Sequence, residues 1–314
     1  MVIVFFGTPQ FAVPSLEALI GSRHRVGAVV SQPDRPRGRG QQLQATPTKT
    51  VSEAHGIPVL QPAKIRDEVF LERIRALSPD LGVVVAFGRI LPDALIAIPR
   101  LGMINVHASI LPRYRGAAPI QRAVMAGDAE TGVTIMRIET ELDAGATFAS
   151  QAVAIPSEAT SGEMEDVLAA LGARLLLPVV DALAEGTAVE TPQDHAKATF
   201  APKMTKEEGP IDWSQSAQVI HDRVRGLQPW PLASTTLGGK RIVIRRTRVR
   251  SGDSAHTLAP GTVVRARGDD LIAACGGGTA LQILEIQPEG RRTMTAREFL
   301  AGRGVADGDR FGHK

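Results

Sequence analysis

MVIVFFGTPQFAVPSLEALI, residues 1–20, opens with an unbroken apolar run from Val2 to Phe6. A Gly7-Thr-Pro9 turn follows, then apolar residues at helical spacing from Phe11 to Ile20. That reads as strand, turn and helix. The alternation continues: Val26 to Val30 as a strand, Thr48 to His55 as a helix stopped at Gly56, Val59-Leu60 as a short strand, Glu68 to Leu77 as a helix, and Leu81 to Ala86 as a strand. These strands are continuously apolar, as in parallel sheets covered on both faces. Strands taking turns with helices predict an α/β domain built on a doubly wound, Rossmann-like parallel sheet. Its first turn, Gly7-Thr-Pro-Gln-Phe, lacks the G-x-G-x-x-G spacing, so no NAD is expected.

Further along, Thr134 to Ile138 and Ala149 to Ile155 read as strands, and Glu163 to Leu183 as a long helix with Pro178 late in it and Gly186 as its stop. From Thr187 to Lys206 the chain turns polar and Pro-punctuated, which is linker composition. We therefore expect a catalytic domain over 1–189, a linker over 190–207 and a second domain over 208–314. In the last, a helix from Ser216 to Leu227 precedes short strands at Arg241 to Thr247, Gly261 to Ala266, Leu271 to Ala274 and Ala280 to Ile286. Short strands between glycine turns predict a small barrel.

At 314 residues, 43% hydrophobic and 22% charged, the composition is that of a globular protein with two cores and excludes disordered and fibrous classes. The apolar start has no basic leader and stops after six residues, too short for a signal core or a membrane span, so a buried strand and no membrane partner are expected. A single cysteine, Cys275, excludes an intramolecular disulfide and fits a reducing, cytoplasmic compartment. Cys275 precedes Gly276-Gly-Gly278 and reads as a turn residue; the histidines show no metal-ligand spacing, and no metal is expected. Residues 201–314 hold 18 Lys and Arg against 12 Asp and Glu, whereas the rest holds 18 against 21. The positive excess belongs to the C-terminal third and points to a polyanionic partner.

Chemistry concentrates in Gly102-Met-Ile-Asn105-Val-His107-Ala-Ser109-Ile-Leu-Pro112-Arg-Tyr-Arg-Gly and in the later Glu141-Leu-Asp143-Ala-Gly145. On a strand, Asn105 and His107 project to the same face. An amide, an imidazole and a carboxylate without a partner cysteine or serine make a proton-handling site. In acyl or formyl transfer to an amine, Asn105 and His107 can donate to the oxygen that acquires charge. Asp143 can orient the imidazole and accept the amine's proton. Taken singly, each residue also fits a plainer role: Asn105 in a turn, His107 as a satisfied core histidine, Asp143 as a cap. Spacing alone leaves both readings open.

The run INVHASILPRYRGAAPIQRAVMAGDAETGVTIM with the later ELDAGA resembles the folate-dependent formyltransferase family. FFGTPQFAVPSLEAL, SQPDRPRGRG, VVVAFGRILP, APKMTKEEGPIDW and GLQPWP extend the resemblance, over nearly the whole length, to the branch of that family acting on initiator methionyl-tRNA. The resemblance implies that Asn105 and His107 stabilise the oxyanion and that Asp143 tunes His107 and relays the proton. It implies that Ser109, Ile110, Leu111 and Pro112 line the site of 10-formyltetrahydrofolate, with Phe87 and Gly88 where relatives often carry Tyr-Gly. It also implies that the loop bearing Arg35, Arg37 and Arg39 meets the tRNA acceptor end, Arg39 matching the key arginine. Lys203, Lys206, Lys240 and Arg245 are the further tRNA-binding candidates. Among the basic residues of the C-terminal strands, Arg245 and Arg246 should face opposite sides. A generically solvated basic surface is the alternative to an OB-like barrel holding RNA by its backbone.

The expected reaction moves formyl from 10-formyltetrahydrofolate to the α-amine of methionyl-initiator-tRNA, carried out by a monomer. A relative acting on a small amine, a formyltetrahydrofolate hydrolase, and an RNA-binding protein on a retired scaffold remain as rivals. The arginine loop and basic second domain disfavour the first two; the intact Asn105, His107 and Asp143 disfavour the third.

A guanidinium in a Pro/Gly loop can make a forked contact, whereas lysine offers a point charge. We expect Arg39→Lys to lower transfer efficiency on charged initiator tRNA substantially and Arg39→Ala further, because a misplacement of about 1 Å can cost roughly a hundredfold. Unchanged transfer in both variants, measured beside folate affinity, would return the loop to a solvated surface segment.

Overall fold

The computed structural model describes residues 1–37, 42–250, 257–302 and 304–312, so Arg39 lies outside the described residues. Two compact units emerge, one of Met1–Pro119, Thr131–Val153 and Glu165–Pro202, the other of Ile120–Glu130, Ala154–Met164 and Lys203–Lys314. From the start of the chain the elements are β1 (Val2–Gly7), α1 (Val13–Ile20), β2 (Arg25–Val30), β3 (Arg35–Arg37), β4 (Gln42–Gln44), α2 (Pro47–Ala54), β5 (Val59–Leu60), α3 (Glu68–Ala76), β6 (Leu81–Val85), α4 (Asp93–Ile96) and β7 (Met103–His107). Then come β8 (Arg115–Gly116), α5 (Pro119–Met125), β9 (Glu130–Arg137), β10 (Thr147–Ala154), α6 (Ser161–Glu185) and β11 (Phe200–Ala201).

Seven strands of the first unit form one sheet in the order β10-β9-β7-β6-β1-β2-β5. β1 pairs in parallel with both β2 and β6, β6 pairs in parallel with β7, and β7 pairs antiparallel with β9. From β1 the chain winds to one side for β2 and β5, then returns to the other for β6 and β7. In sheets of this topology ligands bind where the winding reverses, here at the carboxyl ends of β1 and β6. The Rossmann-like expectation holds. Ile3 to Phe6 are fully buried, and Val4 and Phe6 pack with Val30, Phe70, Ile74, Val84 and Met103. Local signals start the helices: Thr46 and Asp67 cap α2 and α3 by accepting from Lys49 N and Val69 N. By length and composition α6 could cross a membrane; here half of its apolar window is buried, through residues such as Leu168, Leu171 and Val180.

Residues 190–207, linker by composition, divide between the units. Thr191 bridges Thr147, Gln193 is buried, and β11 pairs with β8, so 190–202 belong to the first unit. Pairing of that kind depends on partners distant along the chain, Thr147 for Thr191 and Arg115 for Phe200, which composition does not register.

The second unit holds α7 (Ala217–Gly226), β12 (Ala233–Leu237), β13 (Lys240–Arg250), β14 (Val263–Arg267), β15 (Asp270–Ala274), β16 (Ala280–Pro288), β17 (Met294–Thr295) and α8 (Ala296–Ala301). Its sheet is antiparallel in the order β12-β13-β16-β15-β14, with β17 on β16. Both edges of this sheet meet one segment near the C-terminus. Leu237 of β12 bridges Phe311, and Thr262, just before β14, bridges Arg310. Trp213 stacks on Phe311 at 5.2 Å between ring centroids, and its indole N–H donates to Thr235 Oγ1 at 3.0 Å. The sheet therefore closes on itself.

Strict alternation fails on β13. Register shifts occur on either side of Arg246, and between the buried Ile244 and Thr247 Arg245 is half-buried and Arg246 exposed. Burial pushes the Cys275 thiol up to about 12, which suits a structural turn residue.

At the end of β1, a Cβ on Gly7 would lie 2.6 Å from the Phe5 ring and 2.8 Å from Ala12 Cβ. Glycine serves close packing there. We expect Gly7→Ala to cost about 1–3 kcal/mol by overpacking, read in a thermal melt as roughly 2–4 °C per kcal/mol. An unchanged melting temperature would contradict this packing.

Candidate active site

Pairing of Gly82, Val83 and Val84 with Met103, Ile104 and Asn105 fixes β7 in the sheet. Asn105 and His107, two residues apart, project to one face at the carboxyl end of the strand. His107 is 5% exposed, and its Nε2 lies 2.9 Å from the Tyr114 carbonyl oxygen. A carbonyl only accepts, so Nε2 carries a proton and donates it. The other nitrogen, Nδ1, faces Asp143 Oδ2 at 3.7 Å, within ion-pair range and beyond a hydrogen bond. Asp143 Oδ2 also accepts from Gly116 N–H at 2.8 Å. The half-buried Asn105 carboxamide has no hydrogen-bond partner among the described residues. Of the three side chains, Asn105 alone keeps its donors available.

The two loops behind these contacts are strained where they touch the site. Tyr114 has φ +62° and Asp143 φ +49°, and Ala86, at the end of β6, has φ +47°. Non-glycine residues rarely adopt this conformation, and the surroundings must hold them in it. For Tyr114 the holding contact is donation from its N–H to Thr199 Oγ1 at 2.9 Å. For the Ser109–Pro112 stretch it is Thr134, the register partner of His107. Its hydroxyl donates to Ser109 O at 2.8 Å and accepts from Leu111 N–H at 3.2 Å. Ser109 Oγ donates to Arg113 O at 2.6 Å, Leu111-Pro112 is cis, and Ile110 lies where a side chain on Gly132 would be.

Phe87 is 2% exposed, its ring edge-on to Phe6 at 5.6 Å. The ring is thus part of the core. Gln32 Nε2 donates to its carbonyl at 2.8 Å, and Gly88, with φ +78°, gives Gln32 room. Beside the Asp143 loop a cleft of about 480 Å³ opens between α4 and residues 138–141, lined by Asp93, Ile96, Ala97, Ile138, Glu139, Thr140 and Glu141. Asn105, His107, Asp143 and the Ser109–Pro112 stretch do not line it. Among the described residues no three His, Cys, Asp or Glu side chains gather as a metal would require.

Formyl transferase models match residues 1–180 and, for the C-terminal domain, 203–304. The chain belongs to the formyl transferase family. It is 47% identical to the methionyl-tRNA formyltransferase of Citrifermentans bemidjiense, covering 100% of this chain and 97% of that one. With the Methylococcus capsulatus methionyl-tRNA formyltransferase it is again 47% identical, over 99% of this chain and 100% of the relative. Two solved structures share the fold: WlaRD, a sugar 3N-formyl transferase crystallised with dTDP and 5-N-formyl-THF (TM-score 0.68, 14% identity, 93% of this chain, 99% of that one), and the Helicobacter canadensis N-formyltransferase with folinic acid and dTDP-3-aminofucose (TM-score 0.68, 15% identity, 92% of this chain, 100% of that one).

Other residues singled out from the sequence of this formyl transferase divide between the units. Arg35 is exposed in the first unit and donates to Gln32 Oε1 at 3.2 Å; Arg37 ends β3. Lys203, Lys206 and Lys240 are exposed in the second unit, where Arg245 is half-buried. Sequence reasoning missed Thr134, Thr199, Arg115 and Gln193. A turn-flanked arginine hints at Arg115; nothing in a polar, Pro-punctuated stretch marks Gln193.

Removing an unspent oxyanion donor acts on the transition state more than on binding. Asn105→Ala should lower kcat about a hundredfold or more with KM little changed, and steady-state kinetics decide it. Near-normal turnover would remove Asn105 from the chemistry.

Proposed function

We propose that this formyl transferase moves the formyl group of 10-formyltetrahydrofolate to the α-amine of methionyl-initiator-tRNA. The observation that carries the chemistry is the cluster at the end of β7: an unspent Asn105 amide beside a His107 ring backed by Asp143 at 3.7 Å. Likeness of 47% to methionyl-tRNA formyltransferases along 314 residues supports the acceptor. The cosubstrate supplies an activated formyl carbon. The donor set fits it: an amide with free N–H groups and a buried imidazole at one strand end.

In this reading Asn105 donates to the oxygen on which negative charge develops, in a site shielded enough for the contact to matter. His107 lies beside the same oxygen and adds to its stabilisation, while Nε2 stays tied to Tyr114 O. Asp143, facing the ring at 3.7 Å, accepts the proton lost by the attacking amine, directly or through water. The amine nitrogen adds to the formyl carbon, the charged oxygen then reforms the carbonyl as the donor's carbon–nitrogen bond breaks, and the departing nitrogen takes up the proton relayed by Asp143, so that no covalent enzyme adduct is needed. Ser109, Ile110, Leu111 and Pro112, held by Thr134, border the cosubstrate, and Phe87 and Gly88 contribute backbone. Arg35, Arg37, Arg39, Lys203, Lys206, Lys240 and Arg245 supply phosphate attraction, the last four from a closed sheet and its approach that we read as OB-like. A monomer working in the cytoplasm fits this role.

The test compares formyl transfer to charged initiator tRNA, charged elongator tRNA and free methionine, with tRNA binding followed as salt is raised. Initiator tRNA should be strongly preferred, and affinity should fall steeply with salt because each neutralised phosphate releases counterions. Equal transfer to free methionine would favour a small-amine enzyme. Formyl release with no acceptor present would favour a hydrolase, and salt-independent binding would remove the basic residues from recognition.

A further inference from the structure

Asp143 sits at φ +49°, in the left-handed region that non-glycine residues adopt infrequently and aspartate tolerates better than most, so contacts around it decide whether the loop keeps this shape. Its carbonyl and that of Gly145 point at one side chain. Gln193 Nε2 donates to Asp143 O at 2.9 Å and to Gly145 O at 2.7 Å. At its other end, Gln193 Oε1 accepts from Arg115 Nε at 3.2 Å and Nη2 at 2.8 Å. All four hydrogen-bonding positions of the carboxamide are filled, and only one orientation fills them: reversed, NH₂ would meet guanidinium N–H groups and oxygen would meet carbonyl oxygens. Gln193 is 8% exposed and Arg115 2% exposed, so water competes for neither.

Arg115 is itself fixed. Its N–H donates to Thr199 O at 2.8 Å, and its Nη1 lies 3.4 Å from Glu141 Oε1. The next residue, Gly116, sends its N–H to Asp143 Oδ2, and its φ of +121° with Ala201 O 2.8 Å from any Cβ position admits only glycine. Backbone and carboxylate of Asp143 are thus gripped from two sides by segments far apart in sequence.

We propose that Gln193 is a positioning residue for Asp143: its carboxamide, oriented by the buried Arg115, holds the 143–145 loop so that the carboxylate faces His107 Nδ1. This rests on Asp143 being the proton relay.

Gln193→Glu tests it cleanly, because the carboxylate keeps Arg115 partnered while it can no longer donate to the two carbonyls. Gln193→Met, of similar volume, removes both functions. We expect both variants to lower kcat by about 10- to 100-fold, the cost of a displaced catalytic group. KM for the formyl donor should stay within about threefold, with Gln193→Glu folded by circular dichroism. In an Asp143→Asn background the same substitutions should add less than about threefold, since residues acting through one another are non-additive. Full loss in both backgrounds would overturn the proposal by making the effect independent of Asp143. Unchanged kcat in Gln193→Glu would overturn it directly. Near-normal turnover of Asp143→Asn alone would instead sink the relay reading, and the proposal with it.

Discussion

Parallel pairing of β7 to β6 is the constraint from which the site follows. Val84 opposite Asn105 sets which face of β7 looks where, and the strand period of two then places Asn105 and His107 together. A slip of one residue would exchange them for Ile104 and Val106, both buried, and put two polar side chains into the core. Burying unpaired amide and imidazole groups costs enough to forbid that register. The hydrophobic core therefore specifies the chemistry indirectly, by leaving only one face for the polar pair.

The strand end alone does not make a working site. His107 needs a partner for Nε2 and a carboxylate near Nδ1, and both come from loops whose backbones are strained at the contact, Tyr114 and Asp143. Such conformations persist when surrounding bonds over-determine them. Here those bonds come from Thr199 and Gln193, on a stretch that returns to lay β11 beside β8. The relay we propose would use that arrangement: His107 and Asp143 stay fixed while a proton passes.

Division of labour between the units follows from composition. The first unit gathers a few buried polar side chains, among them His107, Arg115 and Gln193, around one strand end. The second carries the net positive charge on lysines and arginines, several on or beside β13, where Arg246 is exposed and Arg245 half-buried. Charge of that kind attracts a polyanion without specifying it.

Apolar runs and their punctuation were enough to read β1, β2, β6, their helices and the parallel sheet, because each element's burial pattern is local to it. Strand alternation was likewise enough to pair Asn105 with His107, and the motif around them to join Asp143 to the pair. Tertiary structure alone decided three further things. It put the Phe87 ring into the core beside Phe6, made Gln193 and Thr199 part of the first unit, and left Asn105 with donors unspent while committing His107 Nε2. Each of these depends on contacts between residues distant along the chain. Such contacts follow from how the packed elements meet, and a single sequence carries no local signature of them.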